Sequence, residues 1–157
     1  MKRSYSDSGL TAKRSVLKTR LQNGKEQIFC EWRHRWVRLT PEEWVRQQLL
    51  HHLVEQLDYP ASLIAVEQAI SVGETKKRCD AVVYANTSSS PSPLMLIECK
   101  AETVPLTQKT LDQALTYNRK LNVPHLLLYN GIQAIYVNGN DHQSSGCPRY
   151  ADLLRRQ

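Results

Sequence analysis

The middle of the chain holds three apolar runs in succession: residues 62–72 (SLIAVEQAISV), 78–85 (RCDAVVYA) and 93–100 (PLMLIECK). They are rich in β-branched and aliphatic residues and separated by a Gly-containing turn and the breaker run NTSSSPS, which marks them as strands. A strand with one wet face alternates apolar and polar residues. These are nearly continuous in their apolar character, so they predict strands covered on both faces.

The covering layers are legible on either side. Thr40 followed by Pro41, Glu42 and Glu43 is a helix start: a hydroxyl cap, proline at the first position and carboxylates near the positive end of the dipole. Val45, Leu49, Leu53 and Leu57, with Leu50 and Val54 beside them, predict a helix to about Asp58, ended by Tyr59-Pro60. Residues 107–121 predict a second helix, with Leu111, Ala114, Leu115 and Leu121 inward. Two further strands follow, 124–129 and 133–137, joined by a tight Asn130-Gly131 turn. The order is helix, three strands, helix, two strands, without internal repeat, which gives an α/β fold: one central mixed sheet flanked by helices.

A length of 157 residues supports one such domain. The expected division is a basic, flexible arm over residues 1–26, the domain over 27–138, and a polar tail over 139–157 with a short helix at 150–156. Residues 27–39 read as a short ribbon, with Trp32, His34 and Trp36 on one strand face and Arg33 and Arg35 on the other. Lys and Arg number 21 against 15 Asp and Glu, a net charge of +6. Residues 1–38 carry ten basic and three acidic side chains, so the surplus sits in the arm and favours a polyanionic partner. No apolar run approaches the roughly 18 residues of a membrane span, and MKRSYSDSGL lacks the apolar stretch of a signal peptide; a cytoplasmic protein without membrane contact is expected. Cys30, Cys79, Cys99 and Cys147 never form a C-x-x-C pair, and in that compartment they read as free thiols.

The chemistry concentrates at one end of the hairpin built from the second and third runs. Its loop is centred between residues 89 and 90, so Asp80 and Glu98 fall within a residue of facing each other, with Lys100 two residues beyond Glu98 on the same face. Two carboxylates so placed suit a hard divalent cation, Mg²⁺ or Mn²⁺, and the Cys99 backbone carbonyl adds a third oxygen. Such an ion polarises a phosphate and acidifies water, while Lys100 orients or deprotonates that water. The thiols of Cys79 and Cys99 are expected on the opposite face, as core packing. The bland alternative is a solvated strand end with an incidental ion pair. Trp32 and Trp36, interleaved with Arg33, Arg35 and Arg38, suit either stacking on bases or packing on the body. Lys76 and Lys77 read as a solvated turn that lies close enough to Asp80 to grip a phosphate backbone. The five histidines show no metal-ligand spacing.

Asp80 followed by Glu98-x-Lys100 resembles the PD-(D/E)XK nuclease motif, and the order of elements is similar to that superfamily's αβββαβ core. A narrower resemblance lies in Leu39-Thr40-Pro41-Glu42-Glu43-Trp44-Val45-Arg46-Gln47, Cys79-Asp80, Ile97-Glu98-Cys99-Lys100 and Gln113-x-x-x-Tyr117-Asn118. Together these look like the N-terminal nuclease domain of type I restriction enzyme R subunits, in a small stand-alone form, over residues 27–138. The resemblance implies a metal-dependent DNA endonuclease of restriction or DNA-processing type. It implies that an acid on the first helix, Glu42 or Glu43, approaches the metal, with Glu42 favoured. It also implies that Gln113 and Tyr117 lie near the active site and contact DNA. Each has an ordinary role too: first-turn acids for the glutamates, surface helix and half-buried packing for the other two. Cys79 stands where the superfamily commonly has proline. No G-x-x-x-x-G-K-[ST] occurs, so ATP-driven translocation is not expected of this chain, and a separate motor or specificity subunit is a possible partner. A homodimer would supply one site per DNA strand. The competing reading is a nuclease-fold protein that binds nucleic acid or a partner, with weak or no cleavage.

Overall fold

In the computed structural model, residues 17–139 and 142–156 are described. Residues 1–16, which hold most of the expected arm, lie outside the described residues. The rest of that arm is not irregular: β1 (Thr19–Gln22) pairs antiparallel with β2 (Lys25–Cys30). Their turn is Asn23-Gly24, both at positive φ (50° and 72°), the left-handed pair a two-residue hairpin requires. The Asn-Gly dipeptide was a readable hairpin signal that the polar composition around it obscured.

The expected ribbon over 27–39 is likewise a hairpin. β2 turns through residues 31–34, with His34 at φ 50°, into β3 (Arg35–Arg38), so Trp32 and Trp36 do not share a strand. Trp32 packs toward the core, donating its indole N–H to the Ala61 carbonyl and meeting His51 edge-on.

The first helix, α1 (Pro41–Leu57), begins as its sequence dictates: the Thr40 hydroxyl accepts the Glu43 N–H at 3.1 Å. It ends with Asp58 left-handed and the Tyr59 N–H donating to the Leu53 carbonyl.

After a 3₁₀ turn at Ala61–Leu63, the run expected as one strand over 62–72 divides. β4 (Ile64–Val66) joins the central sheet, whereas β5 (Ala69–Val72) forms a separate hairpin with β6 (Thr75–Arg78). The break is at Glu67, at φ 53°, which turns the chain out of the sheet. Lys76 and Lys77 therefore lie on strand β6, not in a turn. β7 (Ala81–Ala85), β8 (Ser92–Cys99), α2 (Gln108–Leu121), β9 (His125–Tyr129), β10 (Ala134–Asn138), β11 (His142–Ser145) and α3 (Tyr150–Arg155) complete the chain. β11 falls in the stretch expected to be polar tail; pairing with β10 makes it a strand.

The central sheet runs β11-β10-β9-β8-β7-β4. All its neighbours are antiparallel except β8 and β9, which α2 connects. With the β5–β6 hairpin set aside, α1, β4, β7, β8, α2 and β9 reproduce the expected αβββαβ order. Both faces are covered, as the unbroken apolar runs required. Ala81, Val83, Met95, Ile97, Leu127 and Tyr129 pack under Val45, Leu49, Leu50 and Leu53 of α1. Val82, Leu96, Leu126 and Leu128 meet Leu111, Ala114 and Leu121 of α2 on the other face. Each such large side chain contributes about 1.5–3 kcal/mol of hydrophobic stabilisation. No helix among the described residues is long and apolar enough to cross a membrane.

Between β9 and β10, Asn130 Oδ1 accepts the N–H groups of Ile132 and Gln133, and Gly131 adopts φ 92°. A Cβ there would stand 2.8 Å from Glu102 Cγ. Gly131→Ala is therefore expected to lose about 1–2 kcal/mol of stability from backbone strain and crowding, read as a lower urea midpoint.

Candidate active site

Three local devices place Asp80. The β7–β8 register aligns Ala81 with Ile97, so its continuation sets Asp80 opposite Glu98. The Cys79 N–H donates to the Gln68 carbonyl (2.8 Å) and the Glu67 N–H to the Asp80 carbonyl (2.9 Å), which hold the step between β6 and β7 in a bend. The Asp80 carboxylate then reaches over the sheet end, where Oδ2 accepts the Cys99 N–H at 2.7 Å and Oδ1 lies 3.3 Å from an Arg46 Nη of α1.

This corrects the expected common face. Glu98 and Lys100 face α2, whereas the Asp80 carboxylate crosses to the backbone of Cys99 and the α1 side, because the bend takes residue 80 out of strand geometry. The two thiols separate as well: Cys79 packs in the α2 layer and Cys99 in the α1 layer. Burial first, then the charges of nearby Glu98 and Asp80, raise their pKa values, Cys79 to about 11 and Cys99 well above the ordinary thiol value. Both are packing thiols.

Glu98 and Lys100 open into a groove of about 480 Å³, whose walls include Lys77, Gln113, Tyr117 and Lys120. Gln113 and Tyr117, one helical turn apart on α2, thus share the groove with the E-x-K pair. Lys77 reaches in from β6. Its ammonium lies 3.0 Å from Glu98 Oε1 and 4.8 Å from the centroid of the exposed Tyr117 ring. Glu98 Oε1 is buried, with the Lys77 ammonium as its partner. Burial raises the Glu98 pKa, and the Asp80 charge adds to the rise, against the opposing pull of Lys77 and Lys100.

The acids of α1 have unlike surroundings. Glu42 is exposed in the first turn. Glu43 is 4% exposed, and its oxygens accept from Arg33, Arg46 and the Gln47 amide (2.8 Å). Arg46 connects this cluster to Asp80, and Glu67 gathers Arg33, Arg46 and Arg78 at 3.3, 3.7 and 3.0 Å. Arg46 and Glu67 were not expected as site residues; the helical spacing of Arg46 from Glu43 was visible, but its approach to Asp80 was not. Arg33, expected to meet DNA, is turned inward onto Glu43 and the Cys30 sulfur. Arg35 and Lys76 are exposed.

For Glu43, burial pushes the pKa up, but the Gln47 hydrogen bond and the two guanidinium groups outweigh it, leaving a net lowering. A lowered folded-state pKa stabilises the fold at pH above the unfolded value of about 4.3, and that contribution is lost as pH falls through the folded value. Urea midpoints of the wild type should fall across this acidic window, with a shallower fall in Glu43→Gln.

The donor set suits a hard divalent cation: carboxylate oxygens from Asp80 and Glu98, and thiols whose raised pKa values keep them protonated. Of the expected acids, Asp80 and Glu98 lie on paired residues at the sheet end, with their carboxylates turned to different sides. Among the described residues no group of three or more His, Cys, Asp or Glu side chains is gathered for an ion.

Comparison with known proteins bears on this arrangement. A family model described as "Type I restriction enzyme R protein N terminus (HSDR_N)" matches residues 41–149, which hold α1, the Asp80 bend, the E-x-K strand and α2. No curated protein matches the chain. Among solved structures, it is similar to "the fragment structure of a putative HsdR subunit of a type I restriction enzyme from Vibrio vulnificus YJ016". That likeness has a TM-score of 0.52 at 19% identity and covers 74% of this chain but only 24% of the other. A "putative nuclease belonging to DUF820 from Anabaena variabilis ATCC 29413" aligns at a TM-score of 0.47 and 9% identity, over 76% of this chain and 75% of that one. The motif-based resemblance thus holds over most of the chain, which belongs to the family of type I restriction enzyme R protein N termini.

Proposed function

We propose that this chain is a Mg²⁺- or Mn²⁺-dependent DNA endonuclease of the PD-(D/E)XK type. The observation that carries the reading is the 2.7 Å hydrogen bond from the Cys99 N–H to Asp80, which ties one acid to the strand bearing Glu98 and Lys100 at the mouth of a groove with three lysines. Asp80, Glu98 and the Cys99 carbonyl would hold the cation, with Glu42 the available acid of α1. When bound, the cation polarises the scissile phosphate and makes water more acidic. Lys100 would orient the attacking water, or take its proton in the neutral amine form. Lys77 and Lys120 offset phosphate charge, and Gln113 and Tyr117 contact the DNA along the α2 wall. Arg35 and Lys76 are exposed for backbone contacts.

Family membership supports DNA as the partner and further subunits beside this chain; within this reading those are a separate motor or specificity subunit, or a second copy so that each copy cuts one strand. A second reading is favoured by one feature. Arg46 and Lys77 already neutralise Asp80 and Glu98, an arrangement that also suits a nuclease-fold protein which binds nucleic acid or a partner without cutting.

The test is cleavage of linear, circular, single-stranded and methylated DNA with Mg²⁺ or Mn²⁺, wild type beside Asp80→Ala. Cutting by the wild type alone is expected. Activity surviving in Asp80→Ala would locate it elsewhere, and DNA binding without cutting of any substrate would favour the second reading.

A further inference from the structure

The β1–β2–β3 sheet buries Ile28 and Cys30 on one face and turns the other outward. Cross-strand register places Arg20, Gln27 and Arg38 in one outward row and Phe29 beside Trp36 in the next, while Gln22 and Lys25 extend the same face. Phe29 and Trp36 are half-buried yet belong to neither core cluster, and they meet each other edge-on at 5.5 Å. Cations lie over both rings, with the Arg20 guanidinium 4.3 Å from the Trp36 centroid and the Lys18 ammonium 5.9 Å from that of Phe29. Among the described residues no carboxylate shares this face: Glu26 falls on the other by register, and Glu31 lies in the turn beyond.

We propose that this face is a binding site for single-stranded DNA, separate from the groove and independent of any divalent cation. Two aromatic rings with four cations around them, and no opposing acid, match the alternating bases and phosphates of an unpaired strand. Arg20 is planar and already stacked on Trp36, so its free side offers a base a second stacking surface. Lys18, Lys25 and Arg38 meet the flanking phosphates. The bases of a duplex are already stacked on one another and offer these rings little, which selects the single strand. The family's place among restriction enzymes selects DNA over RNA.

Fluorescence anisotropy of labelled oligothymidylate, with the full chain in excess EDTA, tests the assignment. Trp36→Ala is expected to weaken binding about 30-fold, the middle of the range for losing one base–aromatic stack, and Trp36→Tyr to stay within about 3-fold. Arg20→Gln should weaken binding, and Arg38→Gln should reduce the salt slope by about 0.7. Binding is read in EDTA, where no metal-dependent cleavage occurs, so failure of the cleavage reading and failure of this site are read separately. Wild-type affinity in both Trp36→Ala and Arg20→Gln would overturn the proposal. So would tighter binding of a duplex or of oligouridylate. If circular dichroism shows Trp36→Ala unfolded, Arg20→Gln and Trp36→Tyr decide: the first must lose affinity while the second keeps it.

Discussion

Lys100→Ala is expected to lower DNA cleavage by about 10²-fold or more, the range for removing a general base, while leaving the melting temperature nearly unchanged. The asymmetry follows from where Lys100 sits. Its backbone is held by an N–H donated to the Tyr129 carbonyl at 2.9 Å, a bond that alanine keeps. Its side chain lines the groove and packs in neither core. DNA affinity should fall only modestly, since Lys77 and Lys120 remain on the same walls. Cleavage rates under single-turnover conditions, together with anisotropy in Ca²⁺ or EDTA, separate the two effects. A variant that cuts at the wild-type rate would remove Lys100 from the mechanism.

Glu43→Ala should act in the opposite way, on the fold before the chemistry. The Glu43 carboxylate is the shared acceptor for Arg33, Arg46 and Gln47, and Arg46 is itself buried. Removing it leaves two guanidinium groups without their main countercharge in a poorly solvated space, a change that costs about 3–5 kcal/mol for buried ion pairs. Against a total stability of about 5–15 kcal/mol for a domain, that loss lowers the urea midpoint severely. Glu42→Ala, on the exposed side of the same turn, should stay within about 0.5 kcal/mol of the wild type. The pair also separates the two candidate acids: lost cleavage in a stable Glu42→Ala assigns the metal-side role to Glu42, and retained cleavage withdraws it.

Local sequence determined much of this protein. The Thr40-Pro41 cap, the apolar stripe of α1 and the unbroken apolar character of 93–99 act through neighbours within a few residues, so they specify helix and doubly covered strand before any tertiary contact forms. The hairpin register that sets Asp80 opposite Glu98 was legible for the same reason: the loop between them is short, and its centre determines the pairing on both sides.

Only the tertiary structure decided where those side chains point and what they meet. The Asp80 carboxylate leaves the face of Glu98 because a bend, held by hydrogen bonds to residues 67 and 68, interrupts the strand. Arg46 reaches it from 34 positions away, and Arg33 turns inward because Glu43 and Glu67 converge on it from different elements. Periodicity assigns a residue to a face only while the backbone stays regular. Ion pairing depends on distances between elements that no local spacing encodes. The α/β frame and the E-x-K strand were therefore readable in the chain, whereas the charge network around the carboxylates arose only when the layers packed.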